Sequence, residues 1–289
     1  FIQDGYLSNI VNIIQDAGDP DSIFYHDTEI SKISLDILSK LSSISIYHAS
    51  ILFEIDFFNF LIDNIFPILE LIQPNLNWGK THFFLFEGIF KLFLTLLRYP
   101  QLFVNTNQNP CFLINKLHEI YIGIPSLISD ELNEEFRLLE IDLCLTFIRQ
   151  IFIVIEKFKE LLENQMENPG EYLFGLFNNQ EVFDWIIQFF FSEKVTEDIQ
   201  IKASRVLFTI LGNEDEYFNS IFQHALFMNF FKDFNESYMQ MNPEILSNIC
   251  VILRNICCSD NINVLQFILY NENIMAFIKF HITCDEIPF

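Results

Sequence analysis

Gly79-Lys80-Thr81, in the stretch NWGKTHFF, is the nearest approach in the sequence to a phosphate-binding loop. Such a loop needs another glycine five residues before Gly79, so that backbone amides can wrap the phosphates. Pro74 stands there with no amide hydrogen to offer, and no strand-like run precedes it. The spacing predicts a loop in which Thr81 caps the next helix. The histidines, at 26, 48, 82, 118, 224 and 281, form no HExxH pair and no zinc-type Cys/His spacing. The cysteines, at 111, 144, 250, 257, 258 and 284, contain no CxxC. Cys250 and Cys257 are seven apart and share a helix face, which suits small buried residues in a reducing compartment. Glu140 and Asp142 are two apart and cannot act together on one helix face. No GxSxG or GxGxxG occurs. The expectation is no catalytic residue, no metal site, no cofactor and no enzyme.

Charge points to binding rather than to catalysis. The net charge is −23, which excludes a direct nucleic-acid binder, because phosphate contacts need clustered Lys and Arg. Nine of the 16 basic residues nevertheless fall in five helical stretches: Lys32 and Lys40, Lys91 and Arg98, Arg137 and Arg149, Lys202 and Arg205, and Arg254. As helix-end charges they need no function. As a ladder they would contact an acidic or phosphorylated segment, since Arg pairs well with carboxylate and phosphate.

The elements that must position these residues read as helices. With 8 Gly and 9 Pro, the chain is too poor in turn formers for a loop-rich β protein. TEISKISLDILSKLSSI places Ile30, Ile33, Ile37, Leu41 and Ile44 on one stripe, expected to be buried. DIQIKASRVLFTIL, with Asp198 as its expected N-cap, does the same with Ile199, Ala203, Val206 and Ile210, and PEILSNICVILRNICC with Ile245, Ile249, Leu253 and Ile256. Residues 81–98 and 134–160 are apolar almost all round and require neighbours on several sides. The run THFFLFEGIFKLFLTLLRYP is interrupted by Glu87 and Lys91, so no membrane insertion is expected. PQLFVNTNQNP, residues 100–110, reads as the clearest loop.

Self-similarity organises these runs. An apolar pair, a polar turn and a second amphipathic run recur in FIQDGYLSNIVNII, LFEIDFFNFLIDNI, LFNNQEVFDWIIQF, IFQHALFMNFFKDF and FILYNENIMAFIKF, with a weaker copy at Leu102. The starts are 51, 50, 74, 45 and 46 residues apart. The 74-residue gap requires an insertion or a further helix between about 104 and 134, or in ENQMENPGEY. With a long helix before each motif, this unit resembles the armadillo repeat, best over residues 242–280. Gly5 stands where armadillo repeats carry a turn glycine. The expectation is an all-α, right-handed α-solenoid of about five to six armadillo-like three-helix repeats, spanning 1–289 as a single domain. The chain opens on Phe1 within a repeat, so a fragment with an exposed N-terminal face is expected.

The resemblance implies that the third helices line a concave groove that holds an extended protein segment. The groove residues would be Lys40, Lys91, Arg98, Arg149, Gln150, Lys202, Arg205, Arg254 and Asn255. Importin-α-type armadillo proteins grip basic nuclear-localisation peptides with ladders of Trp and Asn. Here only Trp78 and Trp185 occur, and Lys40, Gln150 and Thr209 match the place of Asn255. A non-enzymatic scaffold, cytoplasmic or nuclear, is therefore the first expectation. A transport receptor for basic peptides, or a structural or regulatory subunit, is the alternative.

Overall fold

The computed structural model describes residues 9–14, 28–54, 57, 78–104, 111–128, 133–192, 194–211, 217, 242–257 and 262–283. These are helical, with no strand among them. The chain divides into two compact units, Phe1–Phe177 and Asn178–Phe289.

In the first unit the helices are α1 (Thr28–Ile44), α2 (Ile46–Glu54), α3 (Trp78–Leu96), the short α4 (Gln101–Val104), α5 (Phe112–Leu127), α6 (Glu134–Leu162) and α7 (Pro169–Phe177). The second unit holds α8 (Gln180–Phe191), α9 (Glu197–Leu211), α10 (Pro243–Cys257), α11 (Ile262–Tyr270) and α12 (Glu272–Thr283). Asparagine starts several of them. Asn133, Asn179, Asn242 and Asn271 each accept backbone N–H bonds of 2.8 to 3.1 Å in the following first turn. These bonds satisfy amides that the helix itself leaves open.

In the first unit three long helices stack side by side and parallel. Between α1 and α3, Lys32 meets Glu87 at 3.2 Å, Leu35 lies over Gly88, and the hydroxyls of Ser39 and Thr95 are 3.0 Å apart. The contacts advance together along both helices, which requires a parallel pair. Phe83 stacks on Phe136 with ring centres 5.2 Å apart, and Phe93 meets Phe147 at 6.0 Å, so α3 and α6 are parallel too. Every one of these contacts joins residues 53 to 56 apart in sequence. The other layer keeps the same step: Tyr172 donates to Asn115 (2.6 Å), and Tyr121 donates to the Phe177 carbonyl (2.9 Å), at separations of 57 and 56 residues.

The second unit shows the same arrangement at a shorter step. Asn242 donates to Glu197 (2.7 Å), and Asn248 donates to the buried Ser204 (2.8 Å), at separations of 45 and 44 residues. Thus α9 and α10 run parallel. Their apolar stripes are buried as expected at Ile199, Ala203, Val206 and Ile210, and at Ile245, Ile249 and Leu253. The motif runs at 176–189 and 267–280 break as expected, at Asn178-Asn179 and at Asn271. The motifs at 1–14, 52–65 and 221–234 lie wholly or mostly outside the described residues.

Four expectations are corrected. In α1 the isoleucine stripe is not the buried one: Ile33, Ile37 and Ile44 are 59%, 38% and 66% exposed. The buried side carries Ser31, Ser34, Leu35, Leu38 and Ser42, and from it Leu35 lies over Gly88 of α3. Gly79-Lys80-Thr81 is the first turn of α3, not a loop. Gln101–Val104 is a helical turn inside the expected loop, with Phe103 and Val104 buried. In α9 the cap is Thr196, whose hydroxyl accepts the Ile199 N–H, and Asp198 sits within the first turn.

Candidate functional site

The nine groove residues divide between the units, and each set is described within its own unit. In the first, α3 and α6 each turn one stripe outward between their neighbours. On α3 it comprises Glu87, Lys91 and Leu94, and Arg98 follows in the turn beyond its last residue, Leu96. On α6 it comprises Asp142, Thr146, Arg149 and Ile153. Both follow alternating steps of three and four, the spacing of a single helix face. Arg98, Arg149 and Ile153 are exposed, and Gln150 is half-buried at the edge. Lys40 is exposed on α1 among the outward isoleucines.

Lys91 is not an open rung of a ladder. Its ammonium donates to Glu87 at 2.6 Å, and Lys32 reaches the other oxygen of the same carboxylate. Lys32 also lies 4.0 Å from the Phe84 ring centre, a cation–π contact. Burial pushes the Glu87 carboxyl up, but the hydrogen bonds and charges of Lys91 and Lys32 outweigh it and hold the group below its usual range. This triad ties α1 to α3.

In the second unit Arg205 is likewise engaged. Its Nε donates to Glu244 at 2.8 Å, and its other guanidinium nitrogen closes the same pair. Lys202 is half-buried, and Arg254 is exposed on α10 beside buried Leu253. Asn255 belongs to α10, but its side chain lies outside the described residues. Thus Arg149 is exposed on α6 and Arg98 in the turn that follows α3, whereas Lys91 pairs with Glu87 along α3 and Arg205 with Glu244 across to α10. A separate apolar patch on α11 exposes Ile262, Leu269 and Tyr270.

Sequence reasoning weighed Glu140 only as a carboxylate pair with Asp142 and did not place it in the core. It is fully buried on α6 and lies on the Cys144–Phe147–Ile151 stripe, a spacing that could have revealed its place. Burial, and then Glu140, hold the Cys144 thiol well above its usual range. Between α5 and α7, Tyr172 is raised above its usual range by burial and by neighbouring Cys111. Burial pulls the His118 imidazole down against the opposing charge of Glu119. Of these groups, Tyr172 donates across the helices to Asn115 at 2.6 Å, and the His118 ring meets the Phe177 ring edge-on with centres 6.2 Å apart.

Among the described residues, no group of three or more His, Cys, Asp and Glu is placed to hold a metal ion. No helix among them is long and apolar enough to cross a membrane. No family model, curated protein or solved structure matches the chain.

Proposed function

We propose that the protein is a non-enzymatic interaction scaffold built from armadillo-like repeats, forming a right-handed α-solenoid of about five to six units. In this reading it works inside the cell and holds an extended, acidic segment of another protein on the outward stripes of α3 and α6. The repeat reading is supported by parallel stacking at near-constant sequence steps within each unit. The binding reading is carried by one observation: Arg149 on α6 and Arg98 in the turn that follows its parallel neighbour α3 are both exposed, in a chain of net charge −23. Exposed arginines on neighbouring elements of an acid-rich chain are suited to carboxylates or phosphates of a partner. Exposed Ile153 and half-buried Leu94 flank them and supply apolar contact.

The test is a pull-down from native lysate with the wild type and with Arg98→Glu/Arg149→Glu. The double variant is expected to lose the salt-sensitive partners while its melting temperature stays within about 2 °C, because exposed substitutions rarely exceed about 0.5 kcal/mol. An unchanged partner set contradicts the proposal.

A further inference from the structure

Glu87 lies on the outward stripe of α3, the stripe proposed above to hold an acidic segment, yet its own charge has the sign of that segment. One of its oxygens takes the Lys91 ammonium at 2.6 Å, and the other takes the Lys32 ammonium at 3.2 Å. Only 20% of the Glu87 side chain is exposed, whereas Lys91 keeps 47%. Lys32 is steadied from the other side by the Phe84 ring. Two cations from two helices therefore converge on a single carboxylate, an arrangement that would serve equally well for a carboxylate brought by a partner. Lys116 and Glu119 on α5 differ: there one cation meets one carboxylate of the same helix, at 2.9 Å.

We infer that Glu87 is an internal competitor, which holds Lys32 and Lys91 in place of a carboxylate of the bound segment and so restrains the affinity of this face. The inference rests on the binding reading above and adds its regulation. Glu87 shares a helix with Lys91, one turn away, so it competes at a high effective concentration. Displacing it is nevertheless feasible, because ion pairs this close to solvent are weak. The two ammoniums and one carboxylate leave a single net positive charge, and an isolated acidic side chain gains little from it. A segment carrying several carboxylates, with further contacts to Arg98 and Arg149, can displace Glu87 from the lysines. Glu87 thus favours densely acidic segments over singly charged ones.

The experiment uses the full chain and a fluorescein-labelled peptide of about ten glutamates, which reaches about 33 Å when extended. Fluorescence anisotropy at low salt reads the affinity, and circular dichroism confirms that each variant is folded. Glu87→Gln is expected to bind about three- to fivefold more tightly than wild type, the factor that one exposed ion pair supplies when it no longer competes. Lys91→Gln should remove that gain in the Glu87→Gln background, yet change wild-type affinity by less than about twofold, because Glu87 already engages Lys91. Glu119→Gln makes the same change of net charge on α5 and also breaks an ion pair, and it should leave affinity unchanged. A Glu87→Gln gain no larger than that of Glu119→Gln overturns the inference, and so does a gain that survives Lys91→Gln. In either case the binding reading stands if Arg98→Glu/Arg149→Glu still weakens the peptide. Absence of binding by both wild type and Glu87→Gln overturns the inference and the binding reading together.

Discussion

Glu87 shows how a single side chain serves architecture where the sequence suggests function. It draws Lys32 and Lys91 into one cluster at the α1–α3 seam. Its carboxyl is held below the usual range, so its stabilising effect is present above about pH 4.5 and is lost as pH falls through the folded-state value. Glu87→Gln should lower stability by about 1 kcal/mol at pH 7, and the difference from wild type should shrink as pH falls below about 4.5, as read by urea titration. A constant difference across pH would remove the carboxylate from the explanation. His118 has the opposite chemistry but loses stability in the same direction of pH. Its imidazole is held below the ordinary value of 6.5, so the unfolded chain binds the proton first. Its contribution is therefore full above about pH 6.5 and falls as pH drops through that value. The His118 ring resonances in NMR should titrate with a midpoint below 6.5, and His118→Gln should flatten the fall in melting temperature between about pH 7 and 5.5. The sequence showed that these residues were charged. It could not show their partners, because Lys32 and Glu87, or Arg205 and Glu244, meet only after helices stack.

At the scale of elements, α9 and α10 were legible and α1 was not, for one physical reason. Periodicity identifies which residues share a face, whereas neighbours decide which face is buried. In α9 the only apolar stripe is also the one that meets α8 and α10, so Ile199, Ala203, Val206 and Ile210 are buried as read. In α1 two stripes compete, and the serine-bearing one meets α3. The deciding residue is Gly88: a Cβ there would stand 3.0 Å from the Leu35 Cδ1 and 3.1 Å from its Cβ. Gly88→Val should therefore destabilise the protein by about 1–3 kcal/mol through overpacking, despite the gain in helix propensity. Adding Leu35→Ala should recover part of that loss, because the two changes act on one contact. Strictly additive losses in a thermal-melt cycle would show that α1 and α3 do not meet there. Asn248→Ala should leave the buried Ser204 hydroxyl with one partner fewer and cost about 1 kcal/mol.

At the scale of the whole molecule, the all-helical class followed from composition and periodicity. The stacking steps are 53 to 57 residues in one unit and about 45 in the other; the second is close to the sequence spacings of 45 and 46, whereas the first exceeds those of 51 and 50. Part of the 74-residue gap is filled by α5, and the 29-residue α6 also lies within it. The basic ladder was legible only as a list of positions. Packing shows Lys91 paired with Glu87 along α3 and Arg205 paired with Glu244 across to α10, with Arg98 and Arg149 both exposed. The most direct test of the binding account is site-specific photocrosslinking in native lysate. A benzoylphenylalanine replaces Thr146 or Ile153 on the outward stripe of α6, or Gln165 in the exposed turn beyond it. The account predicts that positions 146 and 153 capture the same protein, that position 165 does not, and that Arg98→Glu/Arg149→Glu removes the adduct. Equal capture from position 165, or capture that survives the charge reversal, would contradict it.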